Sequence, residues 1–491
     1  MSATTTNHQK QGQGVSSVVL GLKPYSEYKD SGLPWLGRVP GHWDVLPHRA
    51  LFEEIKVREH PNEQMLSVTI TRGVIKQRDL LAGSSKKDSS KLDKSAYKLV
   101  CPGDIAYNKM RAWQGAIGVS DLRGIISPAY VVQRMRGVHN PRYFHHLFRT
   151  PGFAKEAESW SYGITSDMWS LRPEHFKAIY SPLPSAEEQA AIVRFLDHAT
   201  HRLDKTIRAK RKTIALLNEQ KQVIIHRAVT RGLAPDILLK DSGIPWLGQI
   251  PAYWVLQNLG RAIRLLTGFP FASSGFSQSE TGMRLVRGIN VTPSGLRWNA
   301  VVRWERKPGD GLDEFALQVG DIVLGMDRPI IGAGVRAASV VEKDTPSLLL
   351  QRVARLRPTD RLDAGFLLLL LRGKLFADYM TPIFTGISVP HLSPEQIKGF
   401  KVALPPVKEQ QAIVSYVDTE TSGLKITITR IEREIELLRE YRTRLVADVV
   451  TGELDVREAA ACLPEVEEVL ADETELAEIE ESGEELAEEN A

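Results

Sequence analysis

The sequence predicts an α+β chain: two mixed α/β domains separated by two long helices that form an antiparallel coiled coil, related by a pseudo-twofold internal repeat. Three observations carry that prediction: a duplicated lead-in motif, a duplicated helical block, and coiled-coil spacing inside both copies of the block. The lead-in Lys29-Asp30-Ser31-Gly32-Leu33-Pro34-Trp35-Leu36-Gly37 recurs as Lys240-Asp241-Ser242-Gly243-Ile244-Pro245-Trp246-Leu247-Gly248. The match continues through Pro40 and Trp43 to Pro251 and Trp254, at a constant offset of 211 residues. Leu183–Leu233 recurs as Leu404–Leu454 at an offset of 221, with 19 identities in 51 positions. Self-similarity of this length is the mark of a tandem duplication.

The boundaries follow from the offsets. Gly232-Leu233-Ala234-Pro235 matches Gly21-Leu22-Lys23-Pro24, so the copies run 21–231 and 232–452. The chain then divides into a disordered N-terminus (1–20), a first globular domain with its lead-in (21–182) and a first long helix (183–231). A second globular domain (232–403), a second long helix (404–452) and an acidic tail (453–491) complete it. Two copies whose ends abut can close on each other, which predicts that the N-terminal segment packs near the end of the second long helix.

Each long helix opens on proline and acidic residues, Pro184 with Glu187 and Glu188 in the first, as a helix N-terminus favours. Apolar residues then alternate by three and four. The seam is Leu203, Ile207, Ile214, Leu217 and Ile224 in the first copy, and Leu424, Ile428, Ile431, Ile435, Leu438 and Leu445 in the second. This is the a/d spacing of a coiled coil. Lys210, Lys221 and Arg442 interrupt it, and Glu420 takes a seam place in the second copy. Each helix can run about 40 residues, or about 60 Å. Burial against the other copy's helix is the simplest arrangement, and the alternative is packing of each helix on its own globular half.

The middles, 44–182 and 255–403, align poorly. Val100-Cys101-Pro102-Gly103-Asp104-Ile105 answers Leu317-Gln318-Val319-Gly320-Asp321-Ile322, a turn entering a strand. Short β-rich runs (Met65–Ile70, Ala129–Gln133, Arg284–Arg287, Gly334–Val341) alternate with turns, and helices are expected near Pro141–Ala157 and Ala364–Tyr379. Similar frames with divergent middles suggest two related modules that read different things.

Composition narrows the function. The 491 residues carry 63 Lys+Arg against 60 Asp+Glu, a net charge of +3, with 42% hydrophobic residues. From Glu453 onward there are 16 acidic residues and one basic, so the rest of the chain stands near +18. A basic body suits a polyanionic partner, or is a solvated basic surface. The acidic tail reads as a disordered solubilising segment or as a phosphate mimic covering the basic face. The longest strongly apolar run, Phe366–Leu371, is too short to cross a bilayer, and no signal-peptide pattern opens the chain. Cys101 and Cys462 are too few for a disulfide framework or a cysteine zinc site. A cytoplasmic location without membrane association is expected.

Catalytic motifs are scarce. The sequence has no phosphate-binding Gly-x-x-x-x-Gly-Lys-Ser/Thr loop and no Gly-x-Ser-x-Gly elbow. Gly332-Ala333-Gly334-Val335-Arg336-Ala337 fits a loose dinucleotide-binding pattern but lies between strands, and reads as a β-turn. His198 with His201, and His145 with His146, read as exposed helix polarity rather than metal ligands. No catalytic residue and no metal site is assigned.

What remains is basic, aromatic and amide residues in turn-rich stretches. In the first middle the candidate DNA-binding residues are Arg72, Lys76, Asn108, Lys109, Arg111, Trp113, Gln114, Tyr162 and Ser166. In the second they are Arg287, Asn290, Arg328 and Ser388. Arginine and lysine suit guanine edges or phosphates, and asparagine and glutamine suit adenine edges, although surface loops hold such residues in any case.

The whole arrangement resembles the specificity subunit of type I restriction-modification enzymes. The resemblance rests on the duplicated Lys-Asp-Ser-Gly-x-Pro-Trp-Leu-Gly motif and the duplicated Leu-Pro-x-x-x-Glu-Gln-x-x-Ile-Val helix opening. It rests also on Asn108–Gly115 with Gly124-Ile125-Ile126-Ser127-Pro128-Ala129-Tyr130, and it covers residues 20–452. It implies that the middles are target-recognition domains for a bipartite asymmetric site on double-stranded DNA. It implies two methyltransferase (modification) subunits as partners, with restriction subunits possible. This chain would bind no cofactor, with S-adenosylmethionine, ATP and Mg expected on the partner subunits. It would have no catalytic site of its own. The acidic tail is not part of the family pattern. Two alternatives stay open: a non-catalytic coiled-coil adaptor, and the specificity subunit of a stand-alone adenine methyltransferase system without a nuclease.

Overall fold

The computed structural model describes residues 22–81, 93–163, 168–277, 280–331, 334–384 and 390–464. The chain forms two units, one holding residues up to Ala209 together with those from Glu434 onward, the other holding Lys210–Arg433. The N-terminus at 1–20 and the tail beyond 464 lie outside the described residues.

Each unit is built on a four-stranded antiparallel sheet. In the first, the strands Phe52–Ile55, Tyr130–Met135, Ile105–Asn108 and Ile117–Val119 lie side by side in that order. In the second the order is Ile263–Thr267, Val353–Pro358, Ile322–Gly325 and Ala337–Ser339. Alternation along the strands feeds two cores. In the first unit Phe52, Ile105, Tyr107 and Val131 face the helices, while Ala106 and Val132 face short hairpins containing Leu66, Val68, Val100 and Ile126. In the second unit Ile322, Leu324 and Leu356 join the helical core, and Val323, Val353 and Ala338 join Val286, Val291 and Leu349.

The recurring Gly-Asp-Ile turn has a clear cause. Asp104 is buried, accepts the backbone N–H of Cys101 at 2.9 Å, and receives a two-pronged bond from Arg134 at 2.8 and 2.9 Å. Asp321 does the same with Gln318 N–H at 2.8 Å and Arg357 at 2.6 and 2.8 Å. Bidentate pairs of this kind are strong and directional, so each locks the start of its inner strand to its neighbour.

The long helices are Ala186–Arg231 and Val407–Val450, 46 and 44 residues, or about 69 and 66 Å. The second runs unbroken through Gly423. The two helices pack together. In the first unit Ile192 and Leu196 near the start of one share a core with Leu445 and Val449 near the end of the other. In the second unit Ile225 and Ala228 near the end of the first share a core with Ile413 and Val417 near the start of the second. That pairing of starts with ends makes the helices antiparallel. All eleven seam residues are buried or half-buried, whereas Leu216, Val223, Ile426 and Leu437 beside them are exposed. Glu420 is exposed and does not serve the seam. Thr421 is fully buried in its place, its hydroxyl satisfied by the Val417 carbonyl at 2.7 Å.

The Glu-Gln that opens each helix is explained by two buried amides. Gln189 accepts the backbone N–H of Asn140 at 2.8 Å and donates to the Pro184 carbonyl at 2.9 Å. Gln410 accepts from Asp363 N–H at 2.7 Å and donates to the Pro405 carbonyl at 2.8 Å. Asn140 and Asp363 are themselves the caps of the helices Pro141–Phe148 and Ala364–Arg372. Each glutamine therefore nails the long helix to the cap of a short one. The lead-in motif is a hairpin whose tip is held in the same way twice. Asp30 and Ser31 accept from Gly32 and Leu33 N–H at 2.9 and 3.1 Å, and Asp241 and Ser242 from Gly243 and Ile244 at 3.0 and 3.2 Å. The left-handed backbone at Gly32 and Gly243 (φ 70° and 68°) is why glycine recurs there.

Several expectations need correction. The helix expected at Pro141–Ala157 is two, Pro141–Phe148 and Pro151–Ser159, because Thr150 caps the second through Phe153 N–H at 3.2 Å. The one expected at Ala364–Tyr379 breaks at Gly373 into Ala364–Arg372 and Lys374–Met380. The tail is not disordered from its start. Val456 and Ala460 are buried in the first unit's core, around the short helix Arg457–Ala461. The Asp455 N–H bonds the Lys23 carbonyl at 2.8 Å and the Tyr28 hydroxyl reaches the Glu453 carbonyl at 3.2 Å, so the start of the first copy, at residues 23–28, packs just past the second helix.

A chain cut after residue 452 therefore loses core. Val456 alone is worth about 2 kcal/mol. We expect a chain ending at Gly452 to unfold at lower denaturant than one ending at Pro464, and equal midpoints in a urea titration would contradict the packing.

Candidate nucleic-acid interface

In the first unit three sequence-distant stretches converge. Strands Ile105–Asn108 and Ile117–Val119 are joined by the loop 109–116, closed by the Asn108 N–H to the Ala116 carbonyl at 3.0 Å. The tight turn 69–73 lies against this loop. Built Cβ atoms at Gly73 and Gly118 would each meet the other's Cα, at 3.8 and 3.2 Å, and one at Gly115 would meet the Ile70 carbonyl at 3.7 Å. The third stretch joins through the Leu171 N–H to the Lys109 carbonyl at 2.9 Å and the edge-on packing of Trp113 on Trp169, centroids 5.5 Å apart.

The candidate residues take distinct places here. Arg72 is exposed at the turn, its N–H held by the Thr69 hydroxyl at 3.0 Å, and Lys76 is half-buried at the end of strand Gly73–Lys76. Asn108 is half-buried and accepts Met110 N–H at 3.0 Å, a bond within the turn. Lys109 is half-buried in the loop. Arg111 is exposed and donates to Gln114 Oε1 at 2.9 Å, and Trp113 bonds the Met110 carbonyl through its ring N–H at 3.0 Å. Tyr162 is exposed with its ring against His175. Ser166 lies outside the described residues.

Sequence reasoning missed the side chain that gathers these loops. Arg149 donates to the Ile70 carbonyl at 2.9 Å, to the Thr71 carbonyl, and to the Ile117 carbonyl at 3.4 Å. Burial lowers its pKa and Arg442 pushes the same way. His145 lies beside it, accepting Val119 N–H at 3.3 Å through Nδ1. His145-His146 is thus not exposed polarity: His145 packs on Gly73 and Gly118, and His146 bonds Asp197 at 3.2 Å.

The second unit has its own convergence. The turn 287–290 and the turn 326–329 are joined by Arg336, which is buried and donates to the Val291 and Asp327 carbonyls at 3.0 Å each. Arg336 interrupts the strand expected over Gly334–Val341, which is instead Gly334–Val335 and Ala337–Ser339. Gly334–Val335 pairs back on Ile330–Ile331, so the glycine-rich pattern there opens a hairpin and no helix, although residues 332–333 lie outside the described residues. Burial would raise the Asp327 pKa, but bonds from Arg352 and His391 at 2.6 Å each hold it below the usual range. The Leu392 N–H reaches the Met326 carbonyl at 2.9 Å, matching the Leu171 bond to Lys109.

Arg328 is exposed at the tip of its turn, with φ 42°. Asn290 is buried, and both ends of its amide are spent: it accepts Arg287 N–H at 3.0 Å and donates to the Arg297 carbonyl at 2.8 Å. It shapes the turn and offers no group to a base. Arg287 is half-buried and donates to the Ala300 carbonyl. Ser388 lies outside the described residues.

Residues 292–437 match the family model described as the type I restriction modification DNA specificity domain. The chain is similar to type I restriction enzyme specificity subunits. It is 27% identical over 286 residues to the MjaVIII specificity subunit of Methanocaldococcus jannaschii, covering 57% of this chain and 64% of that one. It is 25% identical over 256 residues to the EcoAI specificity subunit of Escherichia coli, covering 52% and 43%. The matched segments thus span less than two thirds of each specificity subunit's own length. A chain solved in work on complex assembly and conformational transition of the type I R-M system superposes with a TM-score of 0.59 at 16% identity. That likeness covers 85% of this chain and 99% of the other, and shows that the two share a fold. Among the described residues no helix is long and apolar enough to cross a membrane.

Two tests follow. Replacing Arg149 or Arg336 by Met strands backbone carbonyls at a cost of about 1–3 kcal/mol. We expect hydrogen exchange to quicken at 69–73 and 115–118 in the first variant and at 288–291 and 325–328 in the second, and uniform exchange elsewhere. The second test is pH. Burial, then the charges of His146, Arg149 and Arg142, drive the His145 pKa to about 3, and burial does the same to His48, with a Phe176 backbone bond opposing. Both are neutral when folded and titrate near 6.5 when unfolded. Their contribution is complete above about pH 6.5 and is lost as the pH falls toward 3. Unfolding midpoints should drop across that window, and less steeply in a His145→Gln chain.

Proposed function

We propose that this chain is the DNA-recognition subunit of a type I restriction-modification assembly, without a catalytic site of its own. Its partners are double-stranded DNA, two methyltransferase subunits and, where present, restriction subunits. S-adenosylmethionine, ATP and Mg serve those partners, and the assembly works in the cytoplasm. The reading takes residues 21–182 and 232–403 as two target-recognition domains of a pseudo-twofold repeat. Residues 183–231 and 404–452 are then the coiled coil that spaces them.

One observation carries it. Arg111 and Arg328, each seven residues past a buried Asp104 or Asp321, stand exposed on the loop that follows the third strand in the order of each unit's own four-stranded sheet. The side chains around them differ: Gln114 and Trp113 in one unit, Asp327 and His391 in the other. Equal placement with unlike surroundings is what two readers of unlike half-sites require. Two rigid modules bound to one face of a duplex read bases about one helical turn apart, near 34 Å, and helices of this length can set that interval.

Methylome sequencing of cells expressing the chain with its methyltransferase tests the proposal. The expected result is one asymmetric bipartite motif with an unspecified gap. Arg111→Ala should relax a single base in one half and Arg328→Ala a single base in the other, each costing about 1–3 kcal/mol. A continuous or palindromic motif, or methylation independent of the chain, sinks the proposal.

A further inference from the structure

The first unit carries a positive cluster beside, and distinct from, the exposed Arg111. Tyr130 pairs with Asn108 across the sheet, so Lys109 leaves the sheet next to Tyr130. Lys98 is buried, 7% exposed, and its ammonium donates to the Tyr130 carbonyl. The segment leading out of the edge strand runs alongside: the Leu99 N–H bonds the Val57 carbonyl at 2.8 Å and the Glu59 N–H the Ser95 carbonyl at 3.1 Å. Lys56 and Arg58, both exposed, therefore flank Lys98 on one side and Lys109 flanks it on the other.

The carboxylate acting on Lys98 is Glu54, which is already 3.3 Å from Lys56. Among the described residues no ion pair to a carboxylate is formed by Lys98, Arg58 or Lys109. A buried ammonium met only by a carbonyl is costly, and three neighbouring cations increase the cost. Burial lowers the Lys98 pKa, Glu54 opposes this, and Lys109, Arg58 and Lys56 lower it further. Such an arrangement is stabilised by an incoming anion. Successive phosphates along a nucleic-acid strand supply regularly spaced negative charge and reward each neutralised contact with counterion release.

We propose that Lys56, Arg58, Lys98 and Lys109 form a sequence-independent clamp on the DNA phosphate backbone beside the Arg111 loop. Lys109 is thereby a phosphate contact and not a base reader. The inference rests on the DNA-recognition reading above.

The test uses the full chain and two 30-bp duplexes, one of random sequence and one selected by the chain from a random library. Arg58→Gln changes an exposed residue and Lys109→Gln a half-buried one, and the exposed Lys155→Gln on the helix Pro151–Ser159 is the control. For the random duplex, each of the first two should lower the slope of log affinity against log salt by about 0.9, and the double variant by about 1.8. Base preferences of the selected duplex should be unchanged, and the control should keep the full slope. An unaltered slope in the double variant, an equal loss in the control, or a changed preference at one base overturns the clamp. If the unmodified chain binds neither duplex at low salt, the DNA reading itself falls and the clamp with it.

Discussion

The core of the first unit cannot close without the last turns of the second long helix. Leu445, Val449 and Val450 fill the space around Ile192, Leu196 and Tyr143, and the buried Tyr143 hydroxyl bonds the Val450 carbonyl at 3.0 Å. The second unit likewise takes Ile225 to Val229 from the end of the first helix and Ile413 to Val417 from the start of the second. The first unit is therefore not a contiguous piece of chain, whereas the second, Lys210–Arg433, is. The first waits for a segment more than 200 residues away, so its folding pays for a long loop closure before the contacts reward it. The benefit is that each globule is clamped to both rods, and a reading surface on it inherits their rigidity.

Framework and reading loops are stabilised by different chemistry. The framework relies on side chain-to-side chain pairs that recur in both units, Asp104 with Arg134 and Asp321 with Arg357, and on the amides of Gln189 and Gln410. The loops rely on an arginine that bonds only to backbone carbonyls. Its origin differs: Arg149 follows a helix in one unit, and Arg336 interrupts a strand in the other. A carbonyl is present whatever the side chain. Loop residues such as Arg72 or Arg111 can thus change without disturbing the bonds that hold the loop in place.

That difference also explains what could be read in the sequence. The rods were legible because a three-four apolar period over 40 residues has one structural solution, and the seam residues are covered while their neighbours are not. The single slip, Glu420 for Thr421, came from treating the period as strictly alternating. The globular middles were less legible because their strands are two to six residues long, too short for alternation to show. Arg149 and Arg336 were invisible, since their partners are carbonyls 79, 78 and 45 positions away and carry no side-chain signature. Asn290 misled for the opposite reason: asparagine suits both an adenine edge and a turn, and burial decides for the turn.

The same logic separates the arginines of the second unit. Arg287 is fixed by its bond to the Ala300 carbonyl, and its Nε is buried without a partner. Swinging this side chain out to a base would forfeit the Ala300 bond, although it would also free the unmet Nε from burial. Arg284 is likewise engaged, its guanidinium 4.4 Å from the Trp298 ring centre and bonded to the Lys343 carbonyl at 2.7 Å. Arg328 is exposed at a turn tip whose backbone N–H bonds the Pro390 carbonyl at 2.7 Å. Through Arg336, which bonds the Val291 and Asp327 carbonyls, the 287–290 and 326–329 turns are held as one support.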